Sequence, residues 1–243
     1  VNLRLEQAKR DGATVVTPTG LLEVATYGTM RDFLTKVGTD DPRAVIVDLG
    51  ALEIDSTSAL SVFTAAHTRL GQWPGVPLML ADGGVHTREL LATGRTRRYL
   101  PVHDTVAEAI DAIGEPPPRR VAHVELVNEM GSARVARGFI SEVCAEWGVA
   151  GPILYDALLL VNELVTNVVM HTGSAPRIRV ELRRGVLSIA VSDDVPGEVV
   201  VRDPGADMHG LGGLLLVAQT AVAWGCVPTS GGGKVVWATL RTR

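Results

Sequence analysis

A chain of 243 residues is long enough for one large domain or two modest ones with sound cores. A formal net charge of −4 argues against a nucleic-acid partner, and an aromatic content of 4% argues against base-stacking platforms. Cys144 and Cys226 stand far apart in no metal spacing and read as reduced core thiols, and the opening VNLRLEQAKRDG carries charges where a secretory leader needs an apolar run, so a cytoplasmic protein is expected.

Residues 2–10 and 13–18 read as two strands joined by Asp11-Gly12, a strong hairpin signal. An amphipathic helix is expected from about 24 to 37. AVIVDLG, residues 44–50, is a short, β-branched apolar run and reads as a central buried strand. In IDSTSALSVFTAAHTRLG the apolar residues recur at helical spacing from Ala59 onward. A strand in VPLMLAD, a helix around 86–93, a short strand near 98–102 and a helix at 104–113 complete an α/β layer. Asp55-Ser56-Thr57-Ser58 sits where a strand hands over to a helix. These residue types suit an N-cap, and a hydroxyl so placed is exposed, with any phosphate on it facing the positive end of the helix dipole.

Gly114-Glu115-Pro116-Pro117-Pro118-Arg119-Arg120 breaks the pattern. Consecutive prolines favour a semi-rigid spacer of about 3.1 Å per residue, so the chain is divided into domains 1–114 and 121–243 with 115–120 as linker. Beyond it, residues 121–128 alternate as a strand and 132–147 form an amphipathic helix ending at Gly148. From about 152 a second helix runs through LLLVNELVTNVVMH, apolar almost all round. Its polar residues Asn162, Glu163, Thr166, Asn167 and His171 form one narrow stripe, since an i, i+4, i+8 series drifts only about 40° per step. A lone carboxylate with two amides suits a cavity wall better than a solvated surface; the alternative is a polar network inside the core.

Two strands follow, PRIRVELRR and VLSIAVSDD, with a tight turn at Gly185. Ile178, Val180 and Leu182 are expected inward, and Arg177, Arg179, Glu181 and Arg183 toward water. Leu187, Ile189, Val191 and then Asp193 share the buried face, where a carboxylate is expensive unless something donates to it. The plainer reading of Asp193 is a turn-initiating residue before Val195-Pro196-Gly197. From Gly210 to Val227 no charge occurs over nearly a membrane-spanning length, but three early glycines, Gln219 and Thr220 favour a Gly-rich turn, a buried helix and a strand. Glycines ahead of an apolar helix let backbone amides approach an anion. The chain closes with strands in VAWGCVP and KVVWATL. His67, His86, His103 and His123 are dispersed and form no metal set.

Residues 13–113, with a buried strand leading into IDSTSAL, resemble a STAS domain, the fold of the anti-sigma factor antagonists. In that family the pattern is Asp-Ser-[Ser/Thr]-Gly, and its second hydroxyl residue accepts phosphate from a partner kinase. The resemblance therefore implies phosphorylation at Thr57, with Ser56 the other candidate, while Ser58 stands where the family usually has Gly. Residues 132–241 resemble the GHKL ATPase fold, the Bergerat α/β sandwich, and most closely the anti-sigma factor serine/threonine kinases. The matching pieces are Glu163-x-x-x-Asn167 with His171, Asp193-x-x-x-Gly197, His209-Gly210-x-Gly212-Gly213 and the final Gly-Gly-Lys-Val-Val-Trp strand, with Val195 where the family often has Gly.

That resemblance implies ATP and Mg²⁺ as cofactors. Asn167 holds the metal, Glu163 is the general base, Asp193 fixes the adenine beside Gly197, and Gly210, Gly212 and Gly213 wrap the phosphates beneath a lid of residues 198–209. The implied protein is a bacterial partner-switching regulator. A serine/threonine kinase joined to an antagonist domain phosphorylates a STAS hydroxyl in itself or in another protein, and controls sigma factor availability. Its expected partners are a sigma factor and STAS-domain antagonists, with no nucleic acid and no membrane. The sequence leaves open a homodimer, and a second reading is a non-catalytic nucleotide-binding adaptor that sequesters the same partners.

Overall fold

The computed structural model describes residues 3–81, 84, 87, 91, 100–115, 118–197 and 212–242. The chain divides into two compact units, Val1–Glu115 and Pro116–Arg243. Most of the helix expected around 86–93, Pro116 and Pro117 of the linker, residues 198–209 and Gly210 lie outside the described residues.

The first unit opens with strands β1 (Arg4–Arg10) and β2 (Ala13–Leu22) in an antiparallel hairpin. Asp11 and Gly12 both have positive φ, 51° and 79°, the mirror-image turn whose twist matches that of the strands it joins. Helix α1 (Val24–Gly38) follows, its start held by the Glu23 N–H donating to Thr26 Oγ1 at 2.9 Å. Strand β3 (Val45–Asp48) is central as expected, parallel to β2 on one side and to β5 (Leu78–Ala81) on the other. A short strand the sequence reading did not include, β4 (Leu52–Ile54), pairs in parallel with the end of β2. Helix α2 (Ser61–Gln72), strand β6 (Val102–His103) and helix α3 (Val106–Asp111) follow among the described residues.

Helices cover the parallel part of this mixed sheet on both faces. Val45, Val47, Leu78 and Leu80 pack with Leu34, Phe63 and Leu70 of α1 and α2, while Ile46, Met79 and Ala81 pack with Ala109 of α3. Burial on both sides is why AVIVDLG is a continuous apolar run rather than an alternating one.

His67, on α2, bears on acid stability. Burial pushes its imidazole below the ordinary value and outweighs a backbone hydrogen bond with Leu78. The unfolded chain therefore holds more protons than the folded one as pH falls below about 6.5. Stability of the first unit is expected to be flat above that pH and to fall through the window beneath it. Urea midpoints at about pH 7.5 and about pH 5.5 check this, and His67→Gln is expected to flatten the difference.

The described residues of the second unit form an antiparallel sheet of five strands in the order β10-β11-β9-β8-β7. The strands are β7 (Arg119–Glu125), β8 (Arg177–Arg183), β9 (Val186–Asp193), β10 (Ala223–Pro228) and β11 (Lys234–Arg241). Because β7 begins at Arg119, the last two residues assigned to the linker are strand residues. Helices α4 (Ser132–Trp147), α5 (Pro152–His171) and α6 (Gly212–Thr220) supply the rest of the core, with α5 in contact with α4, α6, β9 and β11. Gly148, φ 73°, ends α4 as expected, and Arg184-Gly185, φ 49° and 74°, turns β8 into β9.

Among the described residues α5 is the one helix long and apolar enough to cross a membrane. Here its Ala157, Leu160, Val161, Leu164, Val165 and Val168 are buried in the core. The uncharged stretch running to Val227 resolves, over its described part, into α6 and β10.

One face was misread. Glu181 was expected toward water but is 3% exposed, with Arg179 at 2.7 Å, Arg183 at 3.8 Å and Arg119 at 3.9 Å. Alternation assigns a residue to a face of the sheet. It does not say whether that face is wet, and here long arginine side chains close over a carboxylate they neutralise.

Candidate functional site

The polar stripe of α5 keeps the layout its spacing implies. Asn162, Glu163, Thr166 and Asn167 are half-buried, and His171 is exposed at the C-terminal turn. A Cβ built on Gly213 would stand 2.4 Å from Glu163 Oε2, so the carboxylate lies directly against the backbone of the first turn of α6. Two residues fifty positions apart, expected from the family resemblance to serve base and phosphate, are therefore in contact. Asn167 Nδ2 is buried with no hydrogen-bond partner.

Asp193 ends β9 on the same side as Leu187, Ile189 and Val191, which pack against the helices. It is 1% exposed. Oδ1 accepts from Lys234 Nζ at 2.9 Å and from the Val195 N–H at 2.9 Å, while Oδ2 is buried with no partner. The turn reading and the buried-carboxylate reading thus both hold: one oxygen initiates the turn and meets a cation, and the other remains an open acceptor. Lys234 also donates to the Val195 carbonyl at 3.0 Å.

Lys234, within the final strand, is the cation of this site, a role its residue type alone does not announce. The signal was there, since Lys234 has the parity of Val236, Ala238 and Leu240 and so falls on the buried face. Gly197, φ 141°, needs its glycine for backbone conformation, and a Cβ there would meet open space. Gly212 is the first residue of α6.

The neighbouring Asp194 shows the contrast a strand creates. It points outward and takes a two-point bond from Arg177, 3.1 Å to Oδ2 and 2.6 Å to Oδ1. That hydrogen bonding holds the Asp194 carboxyl below its usual range and raises Arg177. The pair's stabilisation is present above the ordinary carboxylate pKa and lost as pH falls through the lowered one.

In the first unit the hydroxyl cluster is not a helix cap. Helix α2 starts at Ser61 with Leu60 in the capping position and no side-chain cap, because the chain leaving β4 first makes a tight turn. In that turn the Ala59 N–H donates to the Ser56 carbonyl and the Ser61 N–H to the Ser58 carbonyl, each at 3.1 Å. The Ser56 and Ser58 hydroxyls bond each other at 2.8 Å, and Thr57 between them is exposed.

No cluster of His, Cys, Asp and Glu suited to a metal occurs among the described residues. The hollow lined by Trp147, Gly148, Val149, Ile153 and Leu182 lies beside the β8–β9 turn, at the opposite end of β9 from Asp193.

The STAS domain family matches residues 4–109. Among solved structures, an anti-sigma factor antagonist from Mycobacterium paratuberculosis is 24% identical over 46% of this chain and 94% of that one, with a TM-score of 0.38. The RsbU and RsbW domains of a Mycobacterium tuberculosis protein are 21% identical over 52% of this chain and 33% of that one, TM-score 0.38. The Bacillus cell fate determinant SpoIIAA in its phosphorylated form is 17% identical over 46% of this chain and 100% of that one, TM-score 0.34. No curated protein matches the chain.

Proposed function

We propose, taking residues 4–109 as the STAS domain they form, that the chain is a partner-switching regulator whose second unit is an ATP- and Mg²⁺-dependent serine/threonine kinase. The observation that carries this reading is the Glu163 carboxylate seated against Gly213 at the start of α6. The unpartnered Oδ2 of Asp193, on the helix-facing side of β9, supports it: a buried acceptor without a donor suits the exocyclic amine of a purine.

In this reading Asp193 reads the base, with Gly197 in the turn after it. Gly212 and Gly213 at the start of α6, with Gly210 ahead of them in the sequence, would receive the phosphates. Asn167 offers its amide oxygen to the metal, whose charge the phosphates balance. Bound Mg²⁺-ATP would supply the γ-phosphoryl group, the bond to the β–γ bridging oxygen breaking and ADP leaving with that oxygen. Glu163 takes the proton from the acceptor hydroxyl, which is Thr57, or Ser56, of a STAS domain in this chain or another. The proposed partners are STAS-domain antagonists and a sigma factor.

The test is incubation with labelled ATP, alone and with a STAS partner. Label is expected on a serine or threonine hydroxyl, with Glu163→Ala slower by about 10²- to 10⁴-fold, the usual contribution of a positioned base. Gly213→Ala is expected to slow transfer as well while leaving the unit folded, because the atom it strikes is the movable end of Glu163. Nucleotide binding by calorimetry with no transfer selects the adaptor instead. Neither binding nor transfer removes the nucleotide reading altogether.

A further inference from the structure

The mechanism just proposed gives Glu163 a role but not an orientation. A glutamate on a half-buried helix face has several rotamers, and only some place its carboxylate at Gly213. Its neighbours account for the choice. Asn162 Nδ2 donates to Glu163 Oε1 at 3.1 Å. Asn162 Oδ1 in turn accepts from Arg137 Nη1, reaching over from α4. Residues i and i+1 of a helix point about 100° apart and do not ordinarily meet, so the Asn162–Glu163 contact needs a third group to draw the amide round.

The direction of this chain is forced by chemistry. A guanidinium only donates and an ionised carboxylate only accepts. An amide between them has one orientation that satisfies both, oxygen toward Arg137 and nitrogen toward Glu163. With Oε1 so held, Oε2 is the oxygen left against Gly213.

We infer that Arg137 and Asn162 are positioning residues for Glu163: the guanidinium locks the amide, and the amide aims the carboxylate at the start of α6. The consequence for catalysis rests on the kinase reading above. The locking itself does not. Nothing in the residue types of the stripe identified Arg137, which lies twenty-six residues from Glu163 on a different helix.

The experiment has two arms on the full-length chain. In the first, hydrogen exchange of the Asn162 side-chain amide is followed by nuclear magnetic resonance in the wild type, Arg137→Met, Arg137→Lys and Glu163→Ala. Arg134→Met serves as control, because Arg134 is exposed on the same helix. Exchange is expected to quicken about tenfold in Arg137→Met and Glu163→Ala, the loss of one charge-assisted hydrogen bond. It is expected to stay near wild type in Arg137→Lys, which keeps a donor-only group, and in Arg134→Met.

In the second arm phosphoryl transfer is measured. Arg137→Met is expected to lower kcat about tenfold or more while leaving KM for ATP unchanged, with most of the rate restored in Arg137→Lys. Wild-type exchange in Arg137→Met overturns the inference whatever the chain catalyses. Quickened exchange with a wild-type transfer rate overturns the positioning role. Should exchange respond as expected in a chain that transfers nothing, the lock stands and the kinase reading falls.

Discussion

Replacing Gly233 with alanine is expected to destabilise the second unit by about 3 kcal/mol or more, placing it among the most damaging single substitutions available. The new Cβ would stand 1.9 Å from the Asp193 carbonyl oxygen, 2.9 Å from its carbon and 2.8 Å from the Asp194 Cα. All three are backbone atoms of the chain leaving β9, so no rotamer change relieves the clash. Gly233 also closes the β10–β11 connection, its carbonyl accepting from the Thr229 N–H at 2.9 Å. Either the start of β11 must peel from β9 or the end of β9 must move, and both part Lys234 from Asp193.

Urea unfolding followed by tryptophan fluorescence checks the effect, since Trp147, Trp224 and Trp237 lie in this unit and only Trp73 in the other. Gly231→Ala is the control: a Cβ there meets nothing within 4 Å and the midpoint should hardly change. A midpoint for Gly233→Ala equal to that control would show that the two strands do not approach as described.

Lys234→Met is expected to cost about 3 kcal/mol, within the range seen when one partner of a buried ion pair is removed. Side-chain exposure is 12% for the lysine and 1% for the aspartate, so little water can replace the lost cation. Asp193 would keep only the Val195 N–H on Oδ1 and nothing on Oδ2. The expense therefore falls on a stranded charge more than on a lost attraction. For that reason the double variant Asp193→Asn with Lys234→Met is expected to be more stable than the sum of its single changes by about 1 to 3 kcal/mol. A double-mutant cycle of urea midpoints measures this coupling, and additive single effects would show that the pair does not interact.

The same aspartate is the proposed base-reading group, so the cycle bears on function. Lys234 fixes which oxygen remains free. If Asp193 reads a purine, Lys234→Met should weaken nucleotide binding even at temperatures where the unit stays folded.

Much of the architecture was legible because it is written in local periods. Asp11-Gly12 and Arg184-Gly185 mark tight hairpins since two successive left-handed residues are otherwise rare, and Gly148 stops α4 for a related reason. The 3.6-residue period of α5 put Asn162, Glu163 and Asn167 on one stripe, and the two-residue period of β9 put Asp193 inward and Asp194 outward. Ser56 and Ser58 were placed on the wrong feature because a three-residue strand, β4, is too short to leave a period. The turn after it displaces the hydroxyls from the helix start.

By itself the sequence determined which face of a helix or strand each residue occupies and where several tight turns and helix ends fall. Tertiary structure alone decided whom those residues meet. Gly213 lies against Glu163, Lys234 neutralises Asp193 from forty-one residues away, Arg137 reaches Asn162 from another helix, and three arginines shelter Glu181. The physical reason is that a repeat along the chain encodes direction. Distance between groups on different elements depends on how the helices and sheet pack, and no local repeat carries that.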